Sequence, residues 1–332
     1  MPERPRPGPR PGPPPGRPAA PRGRPVPPAR AVPRHTTAGG IPAAGPFGTV
    51  IGLERETRGE AESHRLGGQF LPDSGSNSLV VLNRIAFFDP DAGKLHDGGK
   101  RALLRWACEH RLGQHGALVA DVARRREAAL SALTAGPRRW HCVRLRAEPE
   151  WRLAVGLGNN ANAHEIGLAL HGTYGWPVIP GSALKGLAAA WAASSGGVGA
   201  DVIRRVLGTP RRDVPAPAAG APDRPARGTV RFLDAIPAGQ PVTVVADVLT
   251  PHVKPYYDGA ATGRPVPPAE YHNPVPLTFL TVRGAYLADL YGPSSEDVGL
   301  AAEWLAKAGD ELGAGAKTAA GYGYLSVHQE PS

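Results

Sequence analysis

Residues 313–323 read GAGAKTAAGYG, with glycines at 313, 315, 321 and 323 set around a single lysine, Lys317. Glycine concentrates where the backbone must take positive φ or approach another backbone or a ligand closely. Two nucleotide-binding readings fail on the letters. A Walker A loop needs glycine before the lysine, and Ala316 stands there; a dinucleotide fingerprint needs a third glycine at 318, and Thr318 stands there. What remains is GxG, five residues, then GxG.

The flanks place this loop. Upstream, SSEDVGLAAEWLAKAGDELG (294–313) predicts a helix capped at Ser294 or Ser295, with Val298, Ala301, Leu305 and Leu312 on one side. Downstream, YLSVHQ (324–329) reads as a closing strand. Further back, strand-like runs occur at 230–237, 242–251, 276–282 and 285–292. Arg283 and Gly284 between the last two predict a hairpin turn.

VRLRAEP (143–149) alternates Val143, Leu145 and Ala147 with Arg144, Arg146 and Glu148, the pattern of a half-buried strand. Its arginines face either solvent or RNA. GWPVIPGSALKGLAAAWAASSG (175–196) then stays extended through Pro177 and Pro180 until Ser182 caps a helix, with Leu184, Leu187, Ala188 and Trp191 as its buried stripe. Gly181, Ser182 and Lys185 mark a helix start at which an anion can dock; the alternative is that Gly181 and Gly186 serve tight packing. With the extra hairpin set aside, the order is strand, helix, strand, strand, helix, strand. The expected fold is α+β, ferredoxin-like or RRM-like, over residues 141–332.

The N-terminal parts differ. Residues 1–46 run through proline and arginine, with eight arginines against Glu3, and carry about +7 of the formal +9. This arm is expected to be disordered with polyproline II character, able to add only a sequence-blind electrostatic term to RNA binding. Residues 47–140 are expected to be mostly helical, with two successive helices between Gly98 and Ala135. Cys108 and Cys142 are too few for a disulfide framework, which fits a reducing cytoplasm. No run of eighteen apolar residues occurs, and no membrane span is expected.

Two stretches, GAGAKTAAGYG and IPGSALKG (179–186), resemble the two signatures of the RAMP superfamily of CRISPR-associated RNA-binding proteins. Between them, FLDAIP (232–237), DVLTPHVKPYYDG (247–259) and NPVPLTFL (273–280) look like the sixth numbered subunit of the Cmr complex, the type III-B effector. Residues 159–186 are similar to that family's central block. The resemblance covers roughly 143–328. It implies a noncatalytic subunit that binds guide RNA toward its 3′ end and possibly target RNA; no cofactor is expected, and no metal, since Asp234 and Asp247 lie in strand-like runs rather than in a two-metal spacing. It also implies a place in antiviral defence, capping the backbone filament beside the repeated backbone RAMP subunit.

The resemblance turns the glycine loop into a backbone-facing clamp, with Gly313, Gly315, Lys317, Gly321 and Gly323 as RNA-binding positions and Gly181, Ser182 and Lys185 as a second set. His252, Lys254 and Tyr256 are further possible RNA contacts. Tyr256 and Tyr257 lie on a segment read as extended, which puts one outward and the other in the core. The rival reading is a metal-independent guide-RNA-processing endoribonuclease, in which His171, His252 or His272 moves a proton beside Lys317. A third is an assembly adaptor using the helices of 98–135 as its interface.

Overall fold

The computed structural model describes residues 49–52, 71, 76–89, 92–159, 162–209, 226–251, 253–263, 266–269, 274 and 276–330, which belong to one unit. The arm of residues 1–46, His252 and His272 lie outside the described residues.

The chain begins with β1 (Thr49–Gly52), α1 (Ser78–Arg84), β2 (Ile85–Asp89), β3 (Lys94–Leu95), α2 (Asp97–Glu109) and α3 (Gly116–Ala135). β1 runs parallel to β2 and β3 antiparallel to it, giving a small three-stranded sheet. Asn77 caps α1 by accepting from the amide of Leu79 at 3.0 Å, and the His96 ring caps α2 by accepting from Gly98 at 3.0 Å. Side-chain acceptors at such positions satisfy helix-end amides that have no intrahelical partner.

The main sheet starts with β4 (His141–Pro149) and is completed by β5 (Arg231–Phe232), β6 (Ile236–Pro237), β9 (Tyr286–Gly292) and β10 (Leu325–Gln329), once β7 (Thr243–Leu249) and β8 (Leu277–Arg283) are set apart as a separate ribbon. The strand order is β10-β4-β9-β5, every pair antiparallel, with β6 extending the β5 edge along β9. α4 (Gly181–Ser194), α5 (Ala200–Leu207) and α7 (Ser295–Glu311) pack together, and Leu184, Ala188, Val298, Ala301 and Leu305 are buried with Leu145, Ala147, Leu290 and Leu325 of the sheet. Burying each large aliphatic contributes about 1.5–3 kcal/mol. This core continues into Leu82, Phe87, Leu103 and Trp106, so no apolar boundary falls at residue 140.

Three local expectations are corrected. The 276–282 and 285–292 runs do not form a hairpin. β8 pairs with β7, β9 pairs with β4, and Arg283–Ala285, with Gly284 at φ 127°, carries the chain from one sheet to the other. Alternating apolar residues specify a strand but not its partner. Second, the residues 254–262 are helical: α6 (Lys254–Thr262) starts on Lys254–Pro255 and ends on Gly263 at φ 70°. Proline suits the first helical turn, where its missing N–H costs nothing. Third, Arg144 faces neither solvent nor an open sheet surface. Its Nε donates to Asp289 at 2.7 Å, and Arg126 of α3 lies 3.7 Å from the same fully buried carboxylate. No helix among the described residues is long and apolar enough to cross a membrane.

Candidate nucleic-acid interface

The loop begins where α7 ends. The amides of Leu312 and Gly313 both bond back to Ala308, and Gly313 turns left-handed at φ 73°, a common helix stop. Ala314 then donates to Gly323 at 2.7 Å, closing the neck, and Ala316 donates to Ala154 at 2.8 Å, fastening the loop to the segment after β4. At the neck and at this fastening the glycines are dictated by space. A Cβ on Gly323 would lie 2.0 Å from the Ala314 carbonyl oxygen, and one on Gly315 would lie 2.5 Å from that of Ala154.

The loop is therefore tied down rather than loose, and fewer of its amides are open than the glycine count suggests. Those of Ala314, Ala316, Ala320, Gly321, Tyr322 and Gly323 all donate within the protein. The amides of Gly315, Lys317, Thr318 and Ala319 have no acceptor among the described residues. Lys317 sits beside them, exposed and left-handed at φ 64°, at the start of a 3₁₀ turn spanning Thr318–Ala320. A lysine there costs about 1–2 kcal/mol of backbone strain, which the surrounding bonds must hold in place. Its ammonium lies 5.8 Å from the Phe279 ring centroid and joins no ion pair among the described residues. Four amides without an acceptor among the described residues, next to a lysine outside any described ion pair, are donors of the kind that phosphate-binding loops present.

Behind the loop lies a polar and aromatic cluster that sequence inspection missed. Arg152 Nη1 donates to Asp247 at 2.5 Å, and the Tyr322 hydroxyl donates to the same carboxylate oxygen at 2.8 Å. Burial favours a protonated Asp247, but hydrogen bonds from Tyr322, Arg152 and the Val248 amide outweigh it and hold the carboxyl below its ordinary value. Burial, then the bond to Asp247, pushes the Tyr322 phenol up to about 12, so it stays a donor throughout the neutral range. Tyr322 also contacts Trp151 at 4.7 Å and Phe279 at 5.7 Å between ring centroids. These residues come from four distant segments, and only the Trp-Arg dipeptide at 151–152, just past β4, was a local signal.

Gly313, Gly315, Lys317, Gly321 and Gly323 thus share one loop. Gly181, Ser182 and Lys185 do not join them: they lie at the far end of a ladder of backbone bonds running from Ala154–Val155 through Ala169 to Val178–Ile179 and Ala235. At the α4 terminus the Gly181 amide is already taken. Pro180, not Ser182, occupies the cap position, and Asp234 accepts from the Gly181 amide at 2.8 Å. A Cβ on Gly181 would lie 2.3 Å from the Phe232 carbonyl oxygen, so the packing alternative for this glycine is the one realised. Ser182 is exposed and Lys185 half-buried.

On α6, Lys254 pairs with Asp258 one turn on, and Tyr256 and Tyr257 are 42% and 63% exposed and in edge contact at 5.4 Å. Neither tyrosine enters the core, because the segment is helical rather than extended. His171 holds a turn: its Nδ1 accepts from the amides of Thr173 and Tyr174 at 3.1 and 3.3 Å, and burial lowers its pKa. Among the described residues, no group of three or more His, Cys, Asp or Glu is placed to hold a metal ion.

A sheet whose final strand is entered through a clamped glycine loop, with a lysine at the loop's tip, defines a class of protein that family comparison names. The model of the RAMP superfamily matches residues 150–326, more than half of the sequence. The chain belongs to the RAMP superfamily. Among curated proteins it is similar to the CRISPR system Cmr subunit Cmr6 of Pyrococcus furiosus, 28% identical over a 234-residue alignment, with 56% of this chain and 68% of that protein covered. Among solved structures it is similar to a chain of the type III-B Cmr-beta complex bound to cognate target RNA, with TM-score 0.49 and 18% identity over 71% of this chain and 78% of that one. The crystal structure of Cmr6 from P. furiosus aligns with TM-score 0.34 and 23% identity over 57% of this chain and 99% of that one.

Proposed function

We propose that this chain is a Cmr6-like, noncatalytic subunit of a type III-B CRISPR effector complex, and that it holds guide RNA by its sugar-phosphate backbone. The superfamily and the P. furiosus relative supply the class. The observation that carries the RNA role is the tip of the glycine loop, where Lys317 and four amides without an acceptor among the described residues lie together above a hydrogen-bonded neck. Such donors grip phosphates without reading bases, which is what a subunit carrying many different guides requires.

In this reading the main sheet with α4 and α7 is a ferredoxin-like unit, supported by its strand order and by the two helices between strands. The guide's 3′ end lies over the loop, the subunit caps the filament beside the backbone RAMP subunit, and target RNA passes nearby. The endoribonuclease alternative has less support. His171, the described histidine it would use, already spends its Nδ1 on two backbone amides.

The test is binding of two unrelated guide-length RNAs to the full chain in EDTA, with the RNA recovered on a denaturing gel. Equal affinities and intact RNA are expected. Specific cleavage in EDTA would replace the proposal with a processing nuclease, and no binding at all would leave an assembly adaptor.

A further inference from the structure

We propose that Trp151 is a stacking platform for one base of the bound RNA, set beside the Lys317 backbone clamp; this rests on the RNA reading above. Tryptophan is usually well covered by a fold, yet Trp151 keeps 48% of its surface exposed in a chain with a large continuous core. It is held still while exposed. The amide of Glu150 donates to Tyr324 at 3.0 Å and that of Gly323 donates to Arg152 at 2.8 Å, so the residues on both sides of Trp151 are bonded to the chain leaving the glycine loop.

The indole itself is buttressed. Tyr322 packs against it at 4.7 Å, and the Arg152 guanidinium lies 5.0 Å from its centroid. Asp247 fixes both supporting groups by accepting from each. A cation against an aromatic ring is favourable, and fixing the ring beforehand reduces the side-chain entropy lost when a base stacks on what remains open. Continuous ring contacts run from Trp151 through Tyr322 to Phe279, which carries the Lys317 ammonium. Stacking tolerates any base because every base offers a π-face, so it adds affinity without imposing a guide sequence.

The experiment uses the full chain, a labelled 12-nucleotide single-stranded RNA and an RNA of the same length with abasic sites, titrated across a salt series. Trp151→Ala is expected to weaken binding of the intact RNA by roughly 5- to 150-fold, to remove the preference over abasic RNA and to leave the salt slope unchanged; Trp151→Phe restores most of the loss. Lys317→Ala serves as the distinguishing arm. If it lowers the salt slope while Trp151→Ala binds like wild type, the stacking role is overturned and the backbone clamp stands. If neither variant matters, the RNA reading of this surface fails and the stacking role fails with it.

Discussion

Asp234, in the short link between β5 and β6, accepts a hydrogen bond from the amide of Gly181 at 2.8 Å, reaching across 53 residues of sequence to the first turn of α4. Its backbone carbonyl meanwhile accepts from Arg126 of α3 at 2.6 Å. One residue therefore joins the second glycine signature to the sheet edge and to the N-terminal helices. At Gly181 the positive end of the α4 dipole is met by the protein's own carboxylate, which makes this glycine a structural joint.

Asp234→Ala is accordingly expected to destabilise the fold by about 0.5–2 kcal/mol, as loss of a helix cap does. Gly181→Ala is also expected to destabilise, because its Cβ meets backbone at 2.3 Å rather than a side chain that can yield. Denaturant midpoints check both.

Within the glycine loop, substitutions should separate strain from collision. Gly321, at φ 87° with open space around its Cβ position, is expected to lose only about 1–2 kcal/mol on change to alanine. Gly323, at φ 83° with Ala314 oxygen 2.0 Å from the Cβ position, should lose more, because the neck must open. Thermal melts of the two variants side by side measure the difference.

What could be read from the letters follows the range over which each interaction acts. The α7 helix was legible because Ser294 caps it locally, accepting from Asp297 at 3.2 Å, and because Val298, Ala301 and Leu305 recur on one face. The loop was legible because positive φ at Gly313, Gly315, Gly321 and Gly323 leaves its mark in composition. The partner of β8, the Asp234 cap and the Trp151–Tyr322 contact were not legible, since each joins residues far apart in sequence. α6 was read as extended although Pro255 falls in a helix's first turn, where its missing N–H costs nothing.

His164 gives a pH prediction. Its Nε2 accepts from the Phe87 amide at 3.0 Å, pinning the segment after β4 to the small sheet, and burial lowers its pKa below the ordinary histidine value. The folded state resists protonation, so this contribution is full above about 6.5 and is lost as pH falls through the lowered value. Stability is expected to fall as pH drops below about 6.5, and His164→Gln should flatten that dependence in a melt series.

Asp247→Ala should cost about 1–3 kcal/mol at neutral pH, because it strands the Tyr322 hydroxyl and the Arg152 guanidinium. The stability contributed by Asp247 is present at neutral pH and lost as pH falls through its lowered pKa, so wild type and variant should converge in acid. Parallel urea titrations at pH 7 and in acid check this.

The most direct test of the central claim is the salt dependence of guide-length RNA binding to the full chain and to Lys317→Ala. If Lys317 neutralises a phosphate, the slope of log affinity against log salt should become shallower by about 0.7, equally for RNAs of unrelated sequence. An unchanged slope would place the RNA on another surface and contradict the clamp.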